Sequence, residues 1–152
     1  MSTLLQKAEA YATNDKWLIH ARAWLLGMAQ HDSVYFKVLD ALEFAKQHHT
    51  GTRNDGAPEF MHQRGIFRTV STLHAQIVNP ATVYMLIFMH DCIEDPHQET
   101  KKFVAPDDIR HNFGEMIERK VLMLSKEILG QKNDNYSLSK IFEDQDTSVV
   151  KL

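Results

Sequence analysis

Cysteine is nearly absent. The one residue, Cys92, excludes an internal disulfide and suits a reducing cytosol. A cytoplasmic location is therefore expected. Long apolar runs are missing too. VYMLIFM, at 83–89, falls far short of the ~20 residues that span a bilayer. The opening MSTLLQKAEAYATNDK has no basic segment followed by an apolar core, so it does not read as a signal peptide. Basic excess is lacking: 17 Lys and Arg stand against 20 Asp and Glu, a net charge of −3. That balance gives no general attraction to nucleic acid or to an anionic membrane, and neither is expected as a partner. Any phosphate must be met by a local cluster. No stretch keeps up the apolar–polar alternation of a half-buried strand, and no internal repeat or low-complexity tract is visible.

What is present points to one all-α domain. A chain of 152 residues with 43% hydrophobic and 24% charged residues can bury a real core. Apolar residues recur at helical spacing along most of it. Leu4, Leu5, Ala8, Tyr11 and Ala12 form a first stripe. Trp17, Leu18, Ala21, Trp24, Leu25 and Met28 form a second, with Asn14 or Asp15 as cap. The two tryptophans imply core packing or a contact between copies in a homo-oligomer. Asp32-Ser33 opens a third helix that runs to about His48, with Tyr35, Val38, Leu39, Leu42 and Ala45 inward. TGTRNDGAP, at 50–58, is a loop. A helix from about Pro58 carries Phe60, Met61, Ile66, Phe67, Val70, Leu73 and Ile77. Asn79-Pro80 starts the most apolar helix, which Pro96 ends or kinks. A loop covers 97–104, and Pro106-Asp107-Asp108 opens a helix expected to reach Leu129-Gly130. GQKNDN is a turn, and 136–152 reads as a last helix.

The chemistry sits where the apolar run stops. Val83 to Met89 leads straight into His90-Asp91 and, within a helical turn, Glu94-Asp95. Buried imidazoles and carboxylates are costly unless paired or bound to a metal. On a continuing helix His90 would lie over Glu94 and Asp91 over Asp95. Three carboxylates and an imidazole at one helix end call for a divalent cation. Nitrogen and oxygen ligands together suit Mn²⁺, Fe²⁺, Zn²⁺ or Mg²⁺. A polar helix end with a satisfied histidine is the plainer alternative for a His-Asp pair alone. The chain has nine histidines, and histidine is a common ligand.

Three segments carry a wider resemblance: ALEFAKQHHTGTRNDGAPEFMHQ, FMHDCIEDP and DDIRHNFGEMIERKVLMLSK. Together they resemble the HD-superfamily domain of RelA/SpoT-type (p)ppGpp hydrolases and small alarmone hydrolases. The likeness covers residues 40–152, with 1–33 as extra N-terminal helices outside it. It implies a compact HD-domain helical bundle and hydrolytic removal of the 3′-pyrophosphate from a guanosine alarmone such as ppGpp. By the same resemblance, His62, His90 and Asp91 are metal ligands. Glu94 and Asp95 position or activate the attacking water. Arg53, with Asn54 beside it, meets substrate phosphate. A metal held in this way lowers the pKa of its water, and an arginine offers a planar fork to phosphate oxygens.

Several positions depart from the family pattern. Gln63 stands where a proline usually follows the first metal histidine, Asn54 replaces a basic residue, and Glu59-Phe60 replaces the usual tyrosine. The loop is thereby less positive, which fits a different or less phosphorylated nucleotide. The family's last ligand, an aspartate, would fall just past Leu152, as if the chain were truncated. Asp144, Asp146 or a terminal carboxylate are the alternatives. A degenerate module that binds nucleotide or protein without hydrolysis is another. Cys92 reads as a buried inert thiol. His49, His74, His97, His111, Lys101-Lys102 and the pair Arg64 and Arg68 read as surface residues.

Overall fold

The computed structural model describes residues 3, 4, 6, 16–51, 56 and 60–151. Among these the chain is all-helical apart from one small hairpin. The helices are α1 (Lys16–Ala29), α2 (Tyr35–His48), α3 (Met61–Ser71), α4 (Pro80–Met89), α5 (Pro106–Phe113), α6 (Glu115–Leu124), α7 (Leu138–Glu143) and α8 (Gln145–Lys151). A single 3₁₀ turn, His74–Gln76, follows α3. No described helix is long and apolar enough to cross a membrane. Most of the stripe proposed for residues 4–12 lies outside the described residues, as does the start of the helix expected from Pro58.

α4 is the axis of the bundle. Eight of its ten residues are buried, Ala81 and Val83 to Met89. A helix apolar all round must be covered all round. α2, α3, α6 and α8 provide that cover, and α1 packs on α2 from outside. Pro80 at the start of α4 costs no hydrogen bond, because its missing N–H would have had no partner there. Phe67 of α3 packs against Tyr84 and Phe88, with centroids 5.1 Å from each. Trp24 sets its edge on Phe67, His74 and Tyr84, and Trp17 tilts onto Phe60. Trp17 therefore belongs to the buried core, whereas Trp24, although in contact with these rings, is 37% exposed. Cys92 is fully buried, as expected.

Two predicted helices are shorter than their apolar spacing suggests. The helix foreseen from 106 to 129 breaks at Gly114, whose φ of 93° and ψ of 166° lie in a region that is essentially glycine-only. A Cβ there would touch nothing within 4 Å, so the constraint is conformational and not steric. Gly114→Ala is accordingly expected to lower stability by about 1–3 kcal/mol in a denaturant titration. An unshifted midpoint would show that the junction relaxes freely.

The second half of that helix ends at Leu124, not at 129. Ser125 Oγ donates to the Val121 carbonyl, and Asn133 Nδ2 donates to the carbonyls of Leu122 and Ser125. Side chains thus satisfy the helix-end acceptors, and the chain turns into an antiparallel hairpin. β1 (Glu127–Ile128) pairs with β2 (Gln131–Lys132). Leu129 and Gly130 both take positive φ, 51° and 83°, as a tight hairpin turn requires. The last predicted helix divides at Asp144. Its Oδ1 accepts the backbone N–H of Asp146 and Thr147, capping α8, while Ser137 caps α7.

Candidate functional site

The site lies where the C-terminal end of α4 meets the first turn of α3. α4 stops at Met89, and His90 keeps helical angles (φ −62°, ψ −26°) only as its cap. Beyond it the chain makes an irregular turn. The Cys92 N–H reaches back to the Met89 carbonyl, three residues away, and the Asp95 N–H reaches the Asp91 carbonyl. The expected stacking of His90 over Glu94 and Asp91 over Asp95 on one helix face is therefore corrected. A turn scatters side chains that a helix would align.

That turn directs His90 and Asp91 toward α3. His90 Nε2 lies 3.3 Å from Asp91 Oδ2, and His62 Nε2 lies 3.5 Å from the same oxygen. Ligand atoms of His62, His90 and Asp91 all fall within 4.8 Å of one another. His90 is buried. The His62 side chain is 37% exposed and that of Asp91 20%, so the group is open to solvent from one side.

The hydrogen bonding of His90 determines what this group can do. Its Nδ1 lies 2.8 Å from the Ile87 carbonyl, which can only accept, so Nδ1 carries the hydrogen. In the neutral ring Nε2 then presents a lone pair toward a carboxylate oxygen. Two lone pairs at that separation repel unless a proton or a cation lies between them. An imidazole held through one nitrogen by a backbone carbonyl, with the other turned toward a carboxylate, can take the posture of a metal-binding histidine.

Glu94 and Asp95 do not join the cluster. Glu94 Oε1 accepts the backbone N–H of Lys126 and of Glu127, tying the turn to the hairpin. Asp95 is exposed, and its carbonyl meets Nε2 of the buried His48. Arg53 and Asn54 lie outside the described residues, as does Leu152.

The two alternative carboxylates are engaged elsewhere. Lys120 Nζ lies 2.6 Å from Asp146 Oδ2 and 3.1 Å from Asp144 Oδ2. Asp146 Oδ1 accepts from Asn79 Nδ2, and Asn79 stands at the opposite end of α4, just before Pro80. At 1.5 Å per residue that end is roughly 15 Å from His90. Burial disfavours charge on Lys120, but its hydrogen bonds to Asp146 and Asp144 and their charges outweigh this and hold it above its ordinary pKa. Burial likewise acts against the Asp144 carboxylate. Hydrogen bonds from Thr147, Lys120 and Asp146 prevail, and it is held low.

Some histidines read as surface residues are not. His49 is buried at the end of α2, its Nε2 3.6 Å from Cys92 Sγ. His74 Nδ1 lies 2.7 Å from the Tyr84 hydroxyl. His97 Nδ1 accepts the N–H groups of Glu99 and Thr100 and shapes its loop. His111, Lys101, Lys102 and Arg68 are exposed, as expected, and Arg64 is half-buried.

Two residues were missed, Gln63 and Lys120. For Lys120 the signal was legible: it shares a helical face with Ile117, Val121 and Leu124, all buried. For Gln63 it was only the exchange of a proline for an amide. No family model, curated protein or solved structure matches the chain.

Proposed function

We propose that this chain is a metal-dependent nucleotide phosphohydrolase of the HD superfamily, acting on a 3′-pyrophosphorylated guanosine nucleotide of the (p)ppGpp type. One observation carries the reading. Three residues that the resemblance names as ligands, from two separate helix ends, converge within 4.8 Å, with the free nitrogen of His90 facing a carboxylate. A divalent cation, Mn²⁺ foremost, fits this mixed nitrogen and oxygen set. When bound, it would supply Lewis acidity and an acidified water. His62, His90 and Asp91 would hold it.

The remaining roles belong to the chain's own groups. Glu94 braces the turn against the hairpin through its carboxylate. Asp95, exposed on the same turn, is the residue we assign to accept a proton from the attacking water. Arg53 is assigned to substrate phosphate, with Asn54 beside it, on the resemblance alone.

A second reading has its own support. Lys120 engages both Asp144 and Asp146, which leaves three protein ligands in the cluster found among the described residues. That favours an HD-fold module that binds a nucleotide without cleaving it.

A nucleotide panel separates the two. With Mn²⁺ present, the first reading expects pyrophosphate release from ppGpp, absent in chelator and in His90→Ala. Binding of ppGpp without turnover supports the second. Turnover of another nucleotide alone keeps the hydrolase and discards the alarmone.

A further inference from the structure

The site holds one buried polar side chain that the roles above do not use. Gln63 follows His62 in the first turn of α3 and is 1% exposed. Its Nε2 donates to Asp91 Oδ2 over 3.3 Å. Oε1 of the same amide is buried with no hydrogen-bond partner among the described residues. A half-satisfied interior amide gives up hydration without full return, and a side chain of equal size with no polar atoms would pack there at less cost. Packing alone therefore does not call for glutamine.

Three nitrogens converge on the single oxygen Asp91 Oδ2: His90 Nε2 at 3.3 Å, His62 Nε2 at 3.5 Å and Gln63 Nε2 at 3.3 Å. Their chemistry differs. In the neutral ring His90 Nε2 offers a lone pair, because Nδ1 carries the hydrogen. The ionised carboxylate only accepts, so the end of the amide that faces it is the NH₂ group. Gln63 thus donates to Asp91 whatever the protonation of the two rings. Asp91 needs such a donor, since it sits on an irregular turn and not within a helix.

We propose that Gln63 is a positioning residue, whose N–H pins the Asp91 carboxylate so that Oδ2 faces both imidazoles and thereby sets the affinity of the site for a divalent cation. This rests on the metal reading above. One end of α3 then supplies both a ligand, His62, and the brace for the ligand contributed by the turn after α4.

The test is Gln63→Met, close to isosteric and without hydrogen-bonding oxygen or nitrogen. Mn²⁺ affinity of the full chain, by titration calorimetry, is expected to fall about 10- to 100-fold, as when a supporting hydrogen bond to a ligand is lost. The metal-free chain's Tm is expected to hold or rise. The visible spectrum of the Co²⁺-loaded chain is expected to change as Asp91 loses its fixed orientation. Unchanged Mn²⁺ affinity overturns the proposal. So does a lower metal-free Tm, which would make the amide a packing group. The two levels of failure separate cleanly. If the wild-type chain binds no Mn²⁺, the metal reading falls and this inference with it. If wild type binds, His90→Ala does not, and Gln63→Met binds as wild type does, this inference alone falls.

Discussion

Mn²⁺ binding is expected to disappear in His90→Ala while the helices persist. His90 is the most buried member of the cluster, and its Nδ1 bond to Ile87 aims Nε2 at Asp91. Alanine removes the ligand atom itself. The loss of affinity should therefore exceed the roughly 10- to 100-fold caused by losing a supporting bond alone. The fold should lose only the packing of one ring at a helix end, about 1–3 kcal/mol. Calorimetry with Mn²⁺ reads the first effect, and circular dichroism with a thermal melt reads the second. Chelation of the wild-type chain should mimic the variant in any activity assay and be reversed by adding Mn²⁺. If His90→Ala takes up Mn²⁺ as wild type does, the three-residue cluster is not the site.

Lys120→Met is expected to lower stability by about 3–5 kcal/mol, the range seen when one partner of a buried ion pair is removed. The substitution keeps length and apolar stem, so packing is largely spared. What it leaves is two carboxylates facing each other without a cation. The Asp146 side chain is 4% exposed and that of Asp144 19%, so water cannot replace the lost ammonium at Asp146. Adding Asp144→Asn and Asp146→Asn to Lys120→Met should restore much of the loss, because the repulsion is gone. Chemical denaturation of the three chains, wild type, single and triple variant, measures this. If the single substitution is neutral, the network is not holding α6 to α8.

The same network sets limits on pH stability. The Asp144 carboxyl is held below its ordinary 3.8, so its stabilisation is complete above that pH. It is lost as pH falls through the lower folded value. Lys120 is held above its ordinary 10.5, so its share is complete below that pH. It is lost as pH rises through the higher folded value. Between these limits the contribution is flat. In Lys120→Met both edges from this network should soften, which melts across the acid and alkaline ranges would reveal.

The sequence by itself determined the helical class and the central helix. Both rest on local periodicity and on burial of a continuous apolar run, and Val83 to Met89 could not stand in water. It also singled out His62, His90 and Asp91, because their order along the chain carried a resemblance. Helix lengths beyond 114, 124 and 144 were not legible. A helical apolar pattern continues across Gly114 and past Leu124, whereas the breaks depend on backbone angles and on reach from Asn133 and Asp144.

Only the tertiary structure decided which ionisable groups share a space. Spacing placed Glu94 and Asp95 in line with His90 and Asp91. The turn after Met89 sent Glu94 to the hairpin and left Asp95 exposed. It likewise committed Asp144 and Asp146 to Lys120 and brought Gln63 onto Asp91. The physical reason is one of range. Periodicity reports which face a side chain takes on its own element, but the partner it meets is set by how separate elements pack.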